Sequence, residues 1–222
     1  MNLLDEPIGQ IACAIPGATR IFHEHKLDFC CGGHKSLREA AQKRGVDEVR
    51  LASTLEALRS EIGQERDWRN APADELIEFI LTRFHERHRA ELPELIRLAY
   101  RVEEVHSARA ECPRGLALLL ETMHQDLLSH MMKEEQILFP TILREAYGQA
   151  VAPISVMRFE HDHHGETLAD LAGMTNDLTP PDDACNTWRA LYAGLRALRE
   201  DLMQHIHLEN NVLFLKAEAL AR

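Results

Sequence analysis

The sequence predicts an all-α protein, an up-down four-helix bundle preceded by a small helical domain, and two observations support this. Long segments carry apolar residues at helical spacing, and nothing resembles the alternating pattern of β-strands. Residues 126–139 (DLLSHMMKEEQILF) recur as residues 201–214 (DLMQHIHLENNVLF), 75 positions later. A repeat of that length corresponds to a helical hairpin, so its two copies make four helices.

Composition limits the partners of the chain. It has 222 residues and a formal net charge of -11, without a basic block that would neutralise phosphates. We therefore expect neither nucleic acid nor an anionic membrane as a partner. The N-terminus has no signal-peptide pattern, and no apolar run approaches membrane-spanning length. Because the five scattered cysteines do not suggest a disulfide framework, the expected compartment is the cytoplasm.

Residues 1–62 are predicted to form the small helical domain. Residues 17–25 and 46–62 have helical character. Ser36 with Glu39 makes a capping box, which predicts the start of another helix between them.

The distinctive feature of this domain is a pair of adjacent cysteines. Cys30 and Cys31 precede two glycines in a predicted loop, residues 26–33 (KLDFCCGG). The glycines would allow a tight turn and leave the thiols accessible, which suits redox chemistry or a labile metal. Two partly buried structural thiols are an equally good interpretation.

Residues 72–222 are predicted to form the bundle, after a polar connector at residues 63–71. Proline suits the first turn of a helix, so Pro72 and Pro153 are expected to begin the first and third helices. Pro93 is expected to kink the first helix. The predicted helices extend from 72 to about 107, from 115 past 139, from 153 to about 177 and from after 183 to about 221.

The two halves of the repeat carry the same polar residues on their apolar faces. Each half has a histidine in its first helix and, 45 or 44 positions later, a histidine followed four positions on by a glutamate. Because an unpaired buried carboxylate is costly, this pattern calls for a compensating cation. Thirteen histidines in the chain also point to metal. The residues are His85, His130, Glu134, His161, His205 and Glu209.

This set of donors indicates two metal ions rather than one. Four imidazoles and two carboxylates are too many for one tetrahedral zinc. They suit two metals, each bound by two terminal histidines. Both glutamates would be shared between the metals, and some coordination positions would stay open. Mixed nitrogen and oxygen donors in a bundle core favour a redox-active pair of irons, although the same ligands suit manganese.

Other residues compete for the ligand positions. His88 lies one turn after His85, and His164 lies one turn after His161, so either could be the ligand in its helix instead. The arginines on both sides of His88 favour His85 and His161 as the ligands. Ferritin-like ligation by Glu-x-x-His is less favoured, because none of its three matches recurs in the other half. A bundle with hydrogen-bonded core histidines and no metal is less favoured still.

Four further polar residues lie near the predicted ligands in the sequence. Asp126 and Asp201, each one turn before a ligand histidine, are either hydrogen-bond acceptors for the imidazoles or solvated surface acids. The second interpretation is slightly favoured. His163 and His207 are expected to be exposed.

The motifs resemble those of hemerythrin-like domains, and nearly the whole chain is similar to the repair-of-iron-centres family of di-iron proteins. The shared motifs include LDFCCGG at 27–33, RFHERHRAELPEL at 83–95, SHMMKEEQILFP at 129–140 and HIHLENNVLF at 205–214. The resemblance implies an oxo- and carboxylate-bridged, non-haem di-iron centre. Its implied ligands are His85, His130, Glu134, His161, His205 and Glu209, with Glu160 beside the site and Cys30 and Cys31 marking the N-terminal module.

The resemblance also implies a function. The expected role is repair of iron-sulfur clusters damaged by nitrosative or oxidative stress, with the chain acting as iron donor or redox partner. Iron-sulfur cluster proteins are then its partners, and nitric oxide or peroxide its small-molecule ligands. A nitric oxide reductase and an oxygen or nitric oxide sensor are the alternatives. Whether the chain forms a homodimer is left open.

The chain departs from oxygen-carrying hemerythrins at one informative position. Gly165 stands where a further histidine would follow His161 by four residues. One ligand fewer leaves the site more open, which argues against reversible oxygen carriage.

Overall fold

The structure is a computed structural model that describes residues 3–15, 17–61 and 68–221. These residues form a short 3-10 helix (Leu3–Asp5) and eight α-helices, when a helix that passes through a π-helical turn is counted as one. No strand is present among them, apart from an isolated bridge between Pro7 and Ser36, so the predicted all-α class is confirmed. None of the described helices combines the length and apolarity needed to cross a bilayer.

Four short helices form the N-terminal part of the chain. The predicted capping box is present, because the backbone N–H of Glu39 donates to Ser36 Oγ at 3.2 Å and that of Ser36 donates to Glu39 at 2.9 Å. Ile11, Phe22 and Leu37 belong to the core of this part. Most of the predicted connector at 63–71 lies outside the described residues. The helices are α1 (Ile8–Ala14), α2 (Ala18–Glu24), α3 (Leu37–Arg44) and α4 (Glu48–Glu61).

The four remaining helices form the predicted up-down bundle. The first helix, α5, packs against α6 and α8, and α7 packs against the same two neighbours. The bounds are Ala73–Ile80, Leu81–His85 and Glu86–His106 for α5; Leu116–Lys133, Glu134–Leu138 and Phe139–Leu143 for α6; Tyr147–Met174 for α7; and Asn186–Leu208, Glu209–Leu213 and Phe214–Leu220 for α8.

The prediction that Pro153 begins the third helix is wrong. The helix α7 begins six residues earlier, at Tyr147, and Pro153 lies inside it. A proline there forfeits one backbone hydrogen bond. Ala150 and Ile154, on either side of it, are fully buried in the bundle. We infer that their packing outweighs the lost bond.

Two apolar cores lie on opposite sides of the layer that contains the predicted ligands. Core A surrounds the start of α5 and the ends of α6 and α8, and core B occupies the other end of the bundle. Core A includes Leu76, Ile80, Phe84, Leu138, Ile154, Leu213 and Phe214. Core B includes Leu92, Leu95, Leu120, Leu127, Leu171, Leu195 and Leu202.

Candidate metal centre

Three of the four bundle helices change to a π-helical turn where they reach the predicted ligands. At each turn a backbone N–H bonds to the carbonyl five residues earlier, as the N–H of Phe139 does to Glu134. Each π-turn adds one residue to a turn of the helix and so changes the direction of the side chains that follow. A polar side chain can therefore face the ligand layer while apolar side chains still face both cores. Single π-turns are frequent at functional sites, and the apolar pattern did not predict them. They are Leu81–His85, Glu134–Leu138 and Glu209–Leu213.

The structure brings the four predicted histidines together as two pairs. His85 Nε2 and His205 Nε2 are 3.1 Å apart, and we call this pair half-site 1. His130 Nε2 and His161 Nε2 are also 3.1 Å apart, and they form half-site 2. Two nitrogens that bind one metal at about 2.1 Å and at a right angle lie about 3.0 Å from each other. Each half-site therefore has the spacing of two ligands of one metal.

The two predicted glutamates each face both half-sites. One oxygen of Glu134 lies 3.4 Å from a nitrogen of half-site 1, and the other lies 3.3 Å from a nitrogen of half-site 2. The corresponding distances for Glu209 are 3.1 and 3.0 Å. All six side chains are at most 1% exposed. The carboxylates thus lie where they would bridge two metals.

The electrostatics of the site favour positive charge. Imidazole nitrogens lie near both carboxylates, yet both oxygens of Glu134 and one of Glu209 lack a well-aligned hydrogen bond within the described residues. Burial and repulsion by Glu209 raise the pKa of Glu134, but His130 and His85 hold it below its ordinary value. Burial lowers the pKa of His130, but Glu134, Glu160 and Glu209 together outweigh burial and raise it to about 10. Buried carboxylates that need positive partners fit the binding of two cations.

Acceptors on the far side of three imidazoles orient the rings. Each Nδ1–H donates away from the centre, so the Nε2 atom of the same ring faces the metal position. Glu160, which also bonds Lys133, has a pKa lowered to about 2 by its hydrogen bond from His130. The structure thus places Glu160 beside half-site 2. The bonds join His85 to Glu135 at 2.7 Å, His130 to Glu160 at 2.9 Å and His161 to Asn210 Oδ1 at 2.9 Å.

Sequence reasoning missed two of these three acceptors. Glu135 and Asn210 each follow a shared glutamate directly and occupy equivalent positions in the repeat, so the 75-residue period contained the signal. Asp126 is exposed, which agrees with the favoured interpretation. Asp201 fits neither interpretation, because it is buried and pairs with two arginines of α5 at 2.6 and 3.0 Å.

The Cys-Cys loop (residues 26–33) shields one of its two thiols. Cys30 is 5% exposed and packs in core B, so the expectation of two accessible thiols is wrong for this residue. A hydrogen bond with Cys31, together with burial, raises the pKa of the Cys30 thiol well above its ordinary value. Cys31 is partly exposed, and its Sγ lies 3.8 Å from that of Cys30.

The Cys-Cys loop docks on α7, which carries His161 of half-site 2, and on α8, which carries His205 of half-site 1. The amides of Asn210 and Asn211 donate to the carbonyl of Cys30 at 3.3 and 3.1 Å. The Cys31 thiol lies 3.5 Å from the carbonyl of His161. Asn210 therefore contacts the N-terminal part of the chain with its nitrogen and a predicted metal ligand with its oxygen.

One glycine, Gly33, makes this docking sterically possible, and a second, Gly165, lies at the contact. The predicted turn is present, since the backbone N–H of Lys35 bonds the Gly32 carbonyl at 3.1 Å. A Cβ on Gly33 would lie 2.7 Å from the Phe29 carbonyl of the same loop and would clash with Asn211, so both the turn and the docking require glycine here. A Cβ on Gly165 would lie 3.8 Å from Cys31 Sγ. The loop thus lies against the position where an oxygen-carrying hemerythrin has its further histidine.

One histidine is buried against expectation, and a second is buried although polar residues flank it. His207 was predicted to be exposed but is 2% exposed, because the N-terminal part covers it and Cys13 Sγ lies 3.3 Å from its Nε2. His88 is fully buried, although arginines flank it in the sequence. Burial and the neighbouring His205 lower the pKa of His88 well below its ordinary value. His163 is exposed as predicted.

Comparison with known proteins identifies the family. The family model of the hemerythrin HHE cation binding domain matches residues 76–217, and that of the ScdA_N domain, a domain of unknown function, matches residues 4–59. The iron-sulfur cluster repair protein YtfE of Edwardsiella ictaluri is 52% identical over 98% of both chains. The chain belongs to the YtfE family. Its YtfE relative in Pectobacterium atrosepticum is 50% identical over the same shares.

Membership of the YtfE family confirms the predicted resemblance and the predicted bundle. The HHE domain is described as cation-binding, and its match spans both half-sites and both shared glutamates. The described residues contain two groups of His and Glu donors that lie close enough to hold a metal, and these groups are the two half-sites with their shared carboxylates. The chain therefore carries a metal-binding domain.

Proposed function

We propose that this chain holds two iron ions and repairs iron-sulfur clusters damaged by nitrosative or oxidative stress. The observation that carries the proposal is the placement of Glu134 and Glu209, which each present one oxygen to each half-site. Sharing of this kind supports the binding of two metals at once. The relatives at about 50% identity are named iron-sulfur cluster repair proteins, which supports the same role.

The residues have separate tasks in the proposed centre. His85 and His205 hold one iron, and His130 and His161 hold the other. Glu134 and Glu209 would each offer one oxygen to each iron and would neutralise part of the charge. A carboxylate-bridged iron pair supplies redox and Lewis-acid chemistry. With two imidazoles and two carboxylate oxygens per iron, octahedral iron keeps positions free for nitric oxide or peroxide.

The partners of this role are iron-sulfur proteins, to which the chain acts as iron donor or redox partner. We place it with them in the cytoplasm. Cys30 and Cys31 lie next to half-site 2 and are proposed to take part in the repair. Transfer of iron to an apo cluster protein by a Cys30→Ala, Cys31→Ala double variant tests that role. Unchanged transfer would exclude the thiols.

Metal content tests the proposed centre itself. We expect about two irons per purified chain and their loss from a Glu134→Ala, Glu209→Ala variant, because the change removes four of the eight donor atoms. Glu166→Ala is the matched control, since this glutamate is 81% exposed on α7. Retention of iron by the double variant, or one zinc per chain, would contradict the proposal.

A nitric oxide reductase is a second candidate, favoured by the way both half-sites share the same carboxylates. Reduction of two nitric oxide molecules by two electrons and two protons gives nitrous oxide and water, and an iron pair held by the two half-sites would supply one electron from each iron. Production of nitrous oxide by the purified iron-loaded protein would support it. Absence of nitrous oxide under turnover conditions with an electron donor would exclude it.

A further inference from the structure

Two buried histidines lie beside the metal centre without belonging to either half-site. His88 is fully buried and His164 is 2% exposed. Both ring nitrogens of His88 and Nε2 of His164 have no hydrogen-bond partner within the described residues. A buried polar atom without a partner costs about 1–3 kcal/mol. Two such histidines, one beside each half-site, indicate a ligand that supplies the missing bonds.

Their positions repeat the symmetry of the centre. His88 follows His85 by three residues, and His164 follows His161 by three. The centroid of the His88 ring lies 5.5 Å from that of His205, in half-site 1. The His164 ring lies 5.1 Å from that of His130, in half-site 2. One of the two unassigned histidines therefore stands beside each metal position.

The carboxylates and these two histidines approach the centre from opposite sides. In α6 and α8, the glutamates follow their histidines toward core A, where Leu138 and Leu213 are buried. In α5 and α7, which run the other way, the chain proceeds from the ligand toward core B. Side chains in a helix lean toward its N-terminus, so both rings tilt back toward the ligand layer. Along the helices, Glu134 and Glu209 thus lie on the core A side of the histidine layer, and His88 and His164 lie on its core B side.

We propose that His88 and His164 form a pocket for a ligand of two or three atoms, bound to the iron pair on the side facing core B. This inference rests on the proposed function. A neutral imidazole has one N–H donor and one acceptor, so each ring can hydrogen-bond one end of such a ligand. Leu92 and Leu168, one turn further along the two helices, are buried in core B and limit the ligand to a few atoms. Nitric oxide, peroxide and azide belong to this class.

Azide binding to the iron-loaded protein tests the pocket. We compare wild type with His88→Leu, His164→Leu and the double variant, and follow the azide absorption band and its infrared stretching frequency. Each lost hydrogen bond should weaken azide binding about 2- to 10-fold, and the double variant more than either single one. His88→Gln, which keeps a donor and an acceptor, should restore part of the affinity. His163→Ala, an exposed neighbour of His164, is the matched control and should bind azide like wild type.

Iron content of the same samples separates this inference from the proposed function. About two irons per chain in all variants, with the stated fall in azide affinity and a shifted azide frequency, supports the pocket. Unchanged azide affinity and frequency in a fully loaded double variant would overturn it, while the iron centre would stand. Loss of iron from the variants would also overturn it, because the two residues would then help to hold metal. Fewer than two irons in wild type would overturn both.

Discussion

The two half-sites have the same ligands but different surroundings. In half-site 2, both imidazoles are oriented by an acceptor, Glu160 for one and Asn210 for the other. In half-site 1, His85 has Glu135, but Nδ1 of His205 has no hydrogen-bond partner among the described residues. The repeat thus duplicated the predicted metal ligands without duplicating everything that orients them.

Contact with the N-terminal part of the chain also distinguishes the half-sites. Asn210 and the backbone of His161 meet the Cys-Cys loop, whereas half-site 1 lies near the ion pair between Arg83 and Asp201. A histidine side chain that is already held in its binding orientation loses less conformational entropy on metal binding than one that is not. We therefore expect half-site 2 to retain its iron longer and to be the half that senses the state of the two cysteines.

The largest expected effects come from removing one ligand in each half. His205→Ala and His161→Ala should each lower iron content from about two to about one per chain, because losing a ligand weakens binding more than the about 10- to 100-fold loss of an orienting residue. Only His161→Ala should also raise the alkylation rate of Cys31, since Asn210 loses its partner. Iron analysis and iodoacetamide labelling measure both. Equal labelling of the two variants would show that the halves are alike.

The orienting residues offer a matched pair for the next test. Glu135→Ala and Asn210→Ala change equivalent positions of the repeat, and each should weaken iron binding in its own half-site about 10- to 100-fold. Asn210→Ala should in addition expose Cys30, because its amide bonds the Cys30 carbonyl. Competition with a chelator and alkylation of Cys30 give the two readouts. Exposure of Cys30 in Glu135→Ala would indicate general loosening instead.

Iron release from the unmodified protein sharpens the comparison further. Because one imidazole of half-site 1 lacks an orienting acceptor, we expect release to a chelator in two phases that differ about 10-fold in rate. The faster phase should disappear in His205→Ala, which lacks iron in half-site 1. Stopped-flow absorption of the iron-chelator complex measures the phases. A single exponential for the wild type would contradict the difference between the halves.

The smallest effect concerns docking of the N-terminal part away from the centre. Lys26 and Arg199 lie 2.5 and 2.8 Å from Asp177, and the hydrogen bond from Lys26 lowers the pKa of Asp177 first, with Arg199 adding to it. Since these side chains are partly exposed, Asp177→Asn should lower the free energy of unfolding by only about 0.2–1 kcal/mol at pH 7.

The pH dependence of that effect follows from the direction of the shift. The pKa of Asp177 is lower in the folded chain, so its stabilisation is complete above the unfolded value of about 3.9 and is lost as the pH falls through the folded value. The difference between wild type and Asp177→Asn should therefore shrink at low pH. Urea unfolding at pH 7 and pH 3 measures it. A difference of the same size at both pH values would mean that the ion pair is not its cause.

The sequence by itself determined the helical bundle and the six side chains that meet at its centre. The reason is that both signals are periodic. An inward-facing position in a helix is visible from spacing alone, and a duplicated hairpin places equivalent residues at the same level. His130 and Glu134 could be recognised because His205 and Glu209 repeat them in the same apolar context.

Only the tertiary structure decided what surrounds those six side chains. The bond from His161 to Asn210, the burial of Cys30 and His207, and the unassigned His88 all depend on which helices pack together. The Cys-Cys loop and α8 are about 180 residues apart in the chain, and no local pattern encodes a contact over that distance. The π-helical turns likewise depend on packing against both cores. The extra residue in each turn lets apolar side chains on both sides of it face a core, and we infer that this packing stabilises the turn.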